Sequence, residues 1–148
     1  MNSPLGRLRL LSDGQALSRI EFENQHREDG ERADDPVLLR AAEQLNEYFA
    51  GRRRRFSIPL AAAGTVFQRR VWDALGNIPF GELRSYRDIA DAIGKRKAVR
   101  AVGAANARNP VPIIVPCHRV VGSNGKLTGY TGGLSAKAAL LQLEGITL

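Results

Sequence analysis

Cys117 and His118 stand side by side in the run Ile113 to Val121, "IIVPCHRVV", and Cys117 is the only cysteine of the chain. A thiol beside an imidazole is a nucleophile beside a base, the pairing that covalent group transfer and thiol hydrolysis both require. A lone cysteine in an apolar run equally suits a small buried hydrophobe, and the residues alone leave both readings open. Pro110, Pro112 and Pro116 interrupt any helix here, so the spacing predicts a short extended segment that ends at Cys117. Neighbouring side chains on an extended chain face opposite ways. A turn or a bridging water is then needed for Cys117 and His118 to communicate. Glu144 is the one acid after residue 91, either a helix-end charge or the carboxylate that orients a histidine.

Charge is distributed unevenly around that pair. The 148 residues carry a formal charge of +7, yet residues 1–60 hold ten arginines and ten acids, and residues 61–91 hold four of each. The whole excess lies in residues 92–148, where Lys95, Arg96, Lys97, Arg100, Arg108, Arg119, Lys126 and Lys137 face Glu144 alone. Segregation of this kind favours a polyanion partner, most often nucleic acid, over a merely solvated basic face, which would normally carry interspersed acids. Eight cations in such a segment also favour thiolate over thiol at Cys117. The run Arg52 to Arg55 is a further candidate for phosphate contact, but at the end of a helix it reads better as a solvated C-terminal cluster.

The elements that must position these residues are legible in outline. "LRLLSDGQALSRIEF" reads as two strands around Asp13-Gly14, followed by a polar loop, "ENQHREDGERADD". Asp35-Pro36 opens a helix that carries Val37, Leu38, Ala41, Leu45, Tyr48 and Phe49 and stops at Gly51. Alternation at Phe56, Ile58 and Leu60 predicts one more strand, and "AAAG" at 61–64 a linker. Thr65 and Gln68 form a capping box for a helix with Phe67, Val71, Trp72 and Leu75 on one side, Trp72 being a core residue. Ser85 and Asp88 form a second box, for a helix through Ile93 that Gly94 ends. "KRK" then leads to the stretch "AVRAVGAANARN". Two short helices joined by a Gly-containing turn, the second basic, read as a helix-turn-helix, with a plain helical hairpin as the alternative. The second helix is dominated by alanine and glycine and offers few side chains for base edges, which points to close, sequence-indifferent docking with Arg100 projecting. Beyond Cys117 come a Gly-rich loop around Tyr130 and Thr131 and a helix capped by Ser135.

Composition excludes several classes. A chain 43% apolar and 25% charged is an ordinary globular one. Its apolar runs are too short to span a bilayer, and its start lacks a secretory h-region. We expect a cytoplasmic protein without membrane contact. One cysteine with His26 and His118 suffices for neither an internal disulfide nor a structural zinc site, so no metal is expected and no cofactor.

The segments "IPFGELRSYRDIADAIG", "AVRAVGAANARNPVPIIVPCHRVVGSNGKLTGYTGGL" and "LLQLEG" resemble the O6-alkylguanine-DNA alkyltransferases, suicide DNA-repair proteins, over about residues 65–145. The resemblance implies an α+β chain: a small ribonuclease-H-like domain of hairpin, strand and helix over 1–60, a linker at 61–64, and over 65–148 a mainly helical, winged-helix-like DNA-binding and alkyl-acceptor domain. It implies that Cys117 accepts the alkyl group, that His118 activates it through a water, and that Glu144 orients His118. Asn109 matches the asparagine that holds the active-site turn, and Lys137 a lysine near the cysteine. Tyr86 matches the tyrosine that rotates the phosphate and protonates the guanine ring. Arg100 matches the arginine that fills the gap left by the extruded base. Ala101 and Gly103 match small residues that admit the helix to the minor groove, with Arg96 and Lys97 contacting DNA, and Val120, Tyr130 and Thr131 line the base pocket. The implied partner is double-stranded DNA bearing an alkylated guanine, or O4-alkylthymine, met by a monomer. Departures are Thr131 where some members have Ser, Val99 where others have Ala, and the missing ligands for the zinc site of some relatives. Rival readings are a non-catalytic lesion sensor, whose members replace the cysteine, usually by Trp; a helix-turn-helix regulator; and a thiol hydrolase.

Overall fold

Asp13 turns the first hairpin by accepting the backbone N–H groups of Gln15 and Ala16 on Oδ1, at 2.9 and 2.8 Å, while Gly14 takes the positive φ of +96° that the turn needs. The computed structural model, which describes residues 1–25 and 35–147, shows two units, Met1–Ala63 and Gly64–Leu148. Most of the polar loop read at 23–35, His26 included, lies outside the described residues.

In the first unit a small hairpin of β1 (Asn2–Ser3) and β2 (Gly6–Arg7), not read from the sequence, precedes the expected one of β3 (Arg9–Ser12) and β4 (Leu17–Glu21). In the latter pair Leu10 lies opposite Ile20, and a bulge falls between Leu11 and Ser12. Helix α1 (Pro36–Phe49) has Asp35 as its N-cap, accepting from Val37 N–H, and buries Ala41, Leu45 and Tyr48 against β3 and β4. The strand expected at Phe56–Leu60 does not form. Only Leu60 bridges to Leu17, because the N–H of Leu17 and that of Ala61 are the two ladder bonds made there.

The second unit begins with the capping box of Thr65 and Gln68 opening α2 (Val66–Gly76), and the box of Ser85 and Asp88 opening α3 (Tyr86–Ala92). Each cap of this type stabilises its helix by about 1 kcal/mol. Helix α4 (Val99–Ala107) packs on both α2 and α3, and the Trp72 indole N–H is anchored on Ala105 O at 2.9 Å within the core. Between β5 (Arg84–Ser85) and β6 (Val120–Val121) runs a two-residue parallel pairing. It ties the start of α3 to the segment just after Cys117 and His118. Helix α5 (Leu134–Leu143) is capped by Gly133 and not by Ser135, which lies inside its first turn. Taken together, five α-helices and three two-stranded sheets occur among the described residues, a mixed α and β architecture. None of the described helices is long and apolar enough to cross a membrane.

Candidate active site

Cys117 does not end an extended segment. Pro116 adopts φ −81° and ψ 63°, and the Cys117 N–H returns to Val115 O at 2.8 Å, an inverse γ-turn. From there Cys117, His118 and Arg119 form a 3-10 turn. The three prolines forbid α-helix but not these tighter turns. The preceding loop is held by Asn109, whose Nδ2 donates to Val115 O at 2.8 Å and whose Oδ1 accepts from Val111 N at 3.0 Å. Within that loop the buried, β-branched Ile113 has φ +75°, a strained conformation costing about 1–3 kcal/mol that only a well-braced loop sustains.

His118 is completely buried. Its Nε2 lies 2.7 Å from Glu144 Oε2, and a carboxylate can only accept, so the imidazole proton resides on Nε2. Nδ1 is then a lone pair, and it meets no protein partner among the described residues. Burial holds the imidazole below its ordinary value, against the Glu144 hydrogen bond and charge, so the resting ring is neutral. Glu144, at the C-terminal cap of α5, is gripped as well by Arg119, with Nε to Oε1 at 2.8 Å and Nη2 to Oε2 at 3.0 Å. The third guanidinium nitrogen donates to Ile78 O at 2.7 Å. Gly81 N–H completes the carboxylate at 3.0 Å. Gly81 needs its positive φ of +80° for this approach, and a Cβ there would stand 3.3 Å from Glu144 O.

The thiol itself corrects the expectation drawn from charge. Burial pushes Cys117 up to about 11, against the pull of the Asn109 hydrogen bond and the Lys137 charge. The resting group is a thiol. Of the eight cations expected to favour thiolate, Arg119 and Lys137 are buried inside the unit, and Arg119 is neutralised by Glu144. The other six are exposed, where solvent screens them from the sulfur. Lys137 is the one that matters: fully buried, its Nζ donates to Val120 O at 2.7 Å. Burial lowers it to about 8 while the neighbouring Cys117 opposes that shift.

Two family models match the chain along nearly its full length: 6-O-methylguanine DNA methyltransferase, ribonuclease-like domain, over residues 1–62, and 6-O-methylguanine DNA methyltransferase, DNA binding domain, over residues 66–146. The chain belongs to the 6-O-methylguanine DNA methyltransferase family. It is 50% identical over 147 residues to the methylated-DNA--protein-cysteine methyltransferase of Mycobacterium bovis, covering 97% of this chain and 89% of that one. Identity is 48% over 153 residues to the constitutive enzyme of that name from Bacillus subtilis, covering 98% and 93%. Among solved structures, Mycobacterium tuberculosis OGT in complex with DNA superposes with a TM-score of 0.87 at 50% identity, over 97% of this chain and 89% of that chain.

Within this methyltransferase-family fold the residues singled out from the sequence fall into two sets. Cys117, His118, Glu144, Asn109, Lys137 and the buried Val120 share one interior cluster. Tyr86, the first residue of α3, joins that cluster through a hydrogen bond between its hydroxyl and Thr128 Oγ1, in which either oxygen can donate. Thr131 Oγ1 donates to Ala107 O at 3.4 Å, which ties the half-buried Tyr130–Thr131 loop to the end of α4. The second set lies outside: Arg96, Lys97, Arg100 and Ala101 are exposed, and Arg96 is ion-paired with Asp91 at 3.2 Å. On α4 the exposed positions are Arg100, Ala101, Ala104 and Ala107, and the C-cap Arg108 is exposed as well, a stripe at helical spacing of small residues between two arginines. Gly103 is turned inward, a Cβ there standing 3.9 Å from the Tyr86 ring. Sequence reasoning missed Arg119, Thr128 and Gly81. Only Arg119 had a usable signal, a cation next to His118 in a segment with a single acid.

Proposed function

We propose that this chain repairs DNA by binding duplex through the outer face of α4, receiving an extruded O6-alkylguanine, and moving the alkyl group once and irreversibly to Cys117. The observation that carries this reading is the buried Cys117 thiol beside a neutral His118 whose proton is fixed on Nε2 by Glu144. A buried thiol with so high a threshold is inert until a base takes its proton. His118 Nδ1 is that base, acting through one bridging water, and the imidazolium that forms is stabilised by Glu144. Lys137 and the Asn109 side chain stabilise the thiolate.

The leaving group needs the complementary help. An alkyl carbon in a stacked base is out of reach, so the nucleotide rotates out of the helix, at a cost of a few kcal/mol. Arg100 fills the vacated space, and the small stripe of Ala101, Ala104 and Ala107 allows α4 to lie close in the minor groove. Gly103 serves that docking indirectly, by letting α4 sit against Tyr86. Val120, Tyr130 and Thr131 line the pocket for the base. Sulfur then attacks the alkyl carbon, the carbon–oxygen bond breaks, and Tyr86 gives its proton to the guanine ring, so that guanine leaves neutral. The thioether left on Cys117 has no leaving group for water to displace. One chain supplies every group of this mechanism, so the protein works as a monomer without metal or cofactor, and its place is the cytoplasm. With duplex in excess, restored guanine should stop at one equivalent per protein; continued accumulation would refute single use.

A further inference from the structure

Thr128 touches two members of the interior cluster at once. Its Oγ1 is hydrogen-bonded to the Tyr86 hydroxyl, and the same atom lies 3.3 Å from Lys137 Nζ. Its carbonyl receives Lys137 as well, at 3.4 Å.

An ammonium has three hydrogens and no lone pair, whereas a hydroxyl has one hydrogen and can accept twice. Lys137 must therefore donate to Thr128 Oγ1. Accepting from the ammonium polarises the Thr128 O–H and strengthens it as a donor, which favours its hydrogen on the Tyr86 oxygen and leaves the Tyr86 hydrogen to point into the pocket. Without the lysine contact that bias is lost, and Tyr86 can turn its hydrogen onto Thr128, where it serves no base.

We propose that Thr128 is a positioning residue for alkyl transfer, which passes the polarity of Lys137 to Tyr86 and aims the phenol proton at the departing guanine. The proposal rests on the alkyl-transfer reading above. In the step concerned the sulfur–carbon bond forms and the carbon–oxygen bond breaks. The Tyr86 oxygen–hydrogen bond breaks too, its proton passing to the ring. The thiol proton goes to His118, and the phenolate left on Tyr86 is held by the Thr128 hydroxyl, itself polarised by the ammonium. Lys137, held at about 8, remains charged at neutral pH to do so.

The test uses the full chain with a duplex carrying one O6-methylguanine, in single-turnover runs at rising protein concentration that separate binding from the limiting rate. Thr128→Val should lower the limiting rate about tenfold or more, the worth of a hydrogen bond to a charged group. Affinity for the same duplex, measured on a Cys117→Ser background, should be unchanged, and Thr128→Ser should restore the rate. On a Tyr86→Phe background Thr128→Val should cost nothing further. A Thr128→Val rate equal to wild type, an equal loss in Thr128→Ser, or a full loss persisting without the Tyr86 hydroxyl would each overturn the assignment of Thr128 alone. Absence of any transfer by the wild type would overturn the alkyl-transfer reading and this proposal with it.

Discussion

Arg119 and His118 converge on one carboxylate: Arg119 spans both oxygens of Glu144 from Nε and Nη2 at 2.8 and 3.0 Å, and His118 Nε2 meets Oε2 at 2.7 Å. Glu144 thus answers two donors that are neighbours in sequence and buried with it. The arginine supplies the carboxylate's counter-charge in the interior, and the carboxylate keeps the histidine in the tautomer that leaves Nδ1 free.

Separating those two duties is the first prediction. Arg119→Met leaves a buried carboxylate short of its counter-charge, a loss of about 3–5 kcal/mol, and chemical denaturation should show it directly. Glu144→Gln keeps the shape, can donate where the carboxylate could only accept, and should slow transfer about a hundredfold. Equal stability of Arg119→Met and wild type would contradict the pairing.

The thiol makes a second. With Cys117 held at about 11 by burial, its reaction with a small alkylating reagent in the absence of DNA should rise about tenfold per pH unit from about pH 7 to pH 10, since only the thiolate reacts. Asn109→Ala removes a hydrogen bond that lowers it and should slow the reaction at any fixed pH in that range, and Lys137→Met removes a charge that lowers it and should slow the reaction below about pH 8, where the ammonium is protonated. A rate already flat below about pH 8 would mean a preformed thiolate.

Lys137 predicts a stability profile. Its folded value of about 8 lies below the ordinary 10.5, so the unfolded chain binds more protons between the two, and stability rises with pH across that window. Cys117 acts oppositely, raised from 9.0 to about 11, with stability falling as pH climbs through that range. Replacing Cys117 by Ser removes the second effect. The urea midpoint of Cys117→Ser should therefore rise from about pH 8 to pH 10 relative to that of Cys117→Ser/Lys137→Met. Parallel curves for the two would sink the claim of a destabilised buried ammonium.

The outer face of α4 yields a further prediction. Ala104→Leu and Arg100→Ala change exposed side chains and should leave stability within about 0.5 kcal/mol. Ala104→Leu should weaken duplex binding by holding the helix away from the groove. Arg100→Ala should slow transfer from duplex while leaving transfer from the free base O6-methylguanine unaltered. A matching loss on the free base would show that Arg100 acts on chemistry rather than on base extrusion.

Local rules carried the helices well. Asp35, Thr65 with Gln68, and Ser85 with Asp88 cap the helices they were read to cap, because a cap is a bond between residues two or three apart. What depends on distant residues was not legible. Three prolines suggested an extended Cys117, whereas Asn109 binds Val115 and draws the loop into tight turns. Ser135 has the side chain of a cap, yet Gly133 with φ +94° turns the chain before it is reached. Phe56–Leu60 alternates as a strand does but finds a partner only where Leu60 meets Leu17. Counting cations by sequence position could not separate the exposed six from Arg119 and Lys137, and so misjudged the thiol, whose ionisation is governed by burial. His118 and Glu144 stand 26 residues apart; periodicity says nothing of such a contact, the lone acid leaves two readings open, and only the family resemblance favours this one.

The central claim concerns Cys117 itself, and intact mass spectrometry tests it most directly. The protein and its Cys117→Ser variant are each incubated with a duplex carrying one O6-methylguanine, then weighed and digested. Wild type should gain one CH₂, saturating at one equivalent and mapping to the peptide that contains Cys117, while the variant gains nothing. A bound duplex with no mass gain, or a gain mapped to any other residue, would contradict the account.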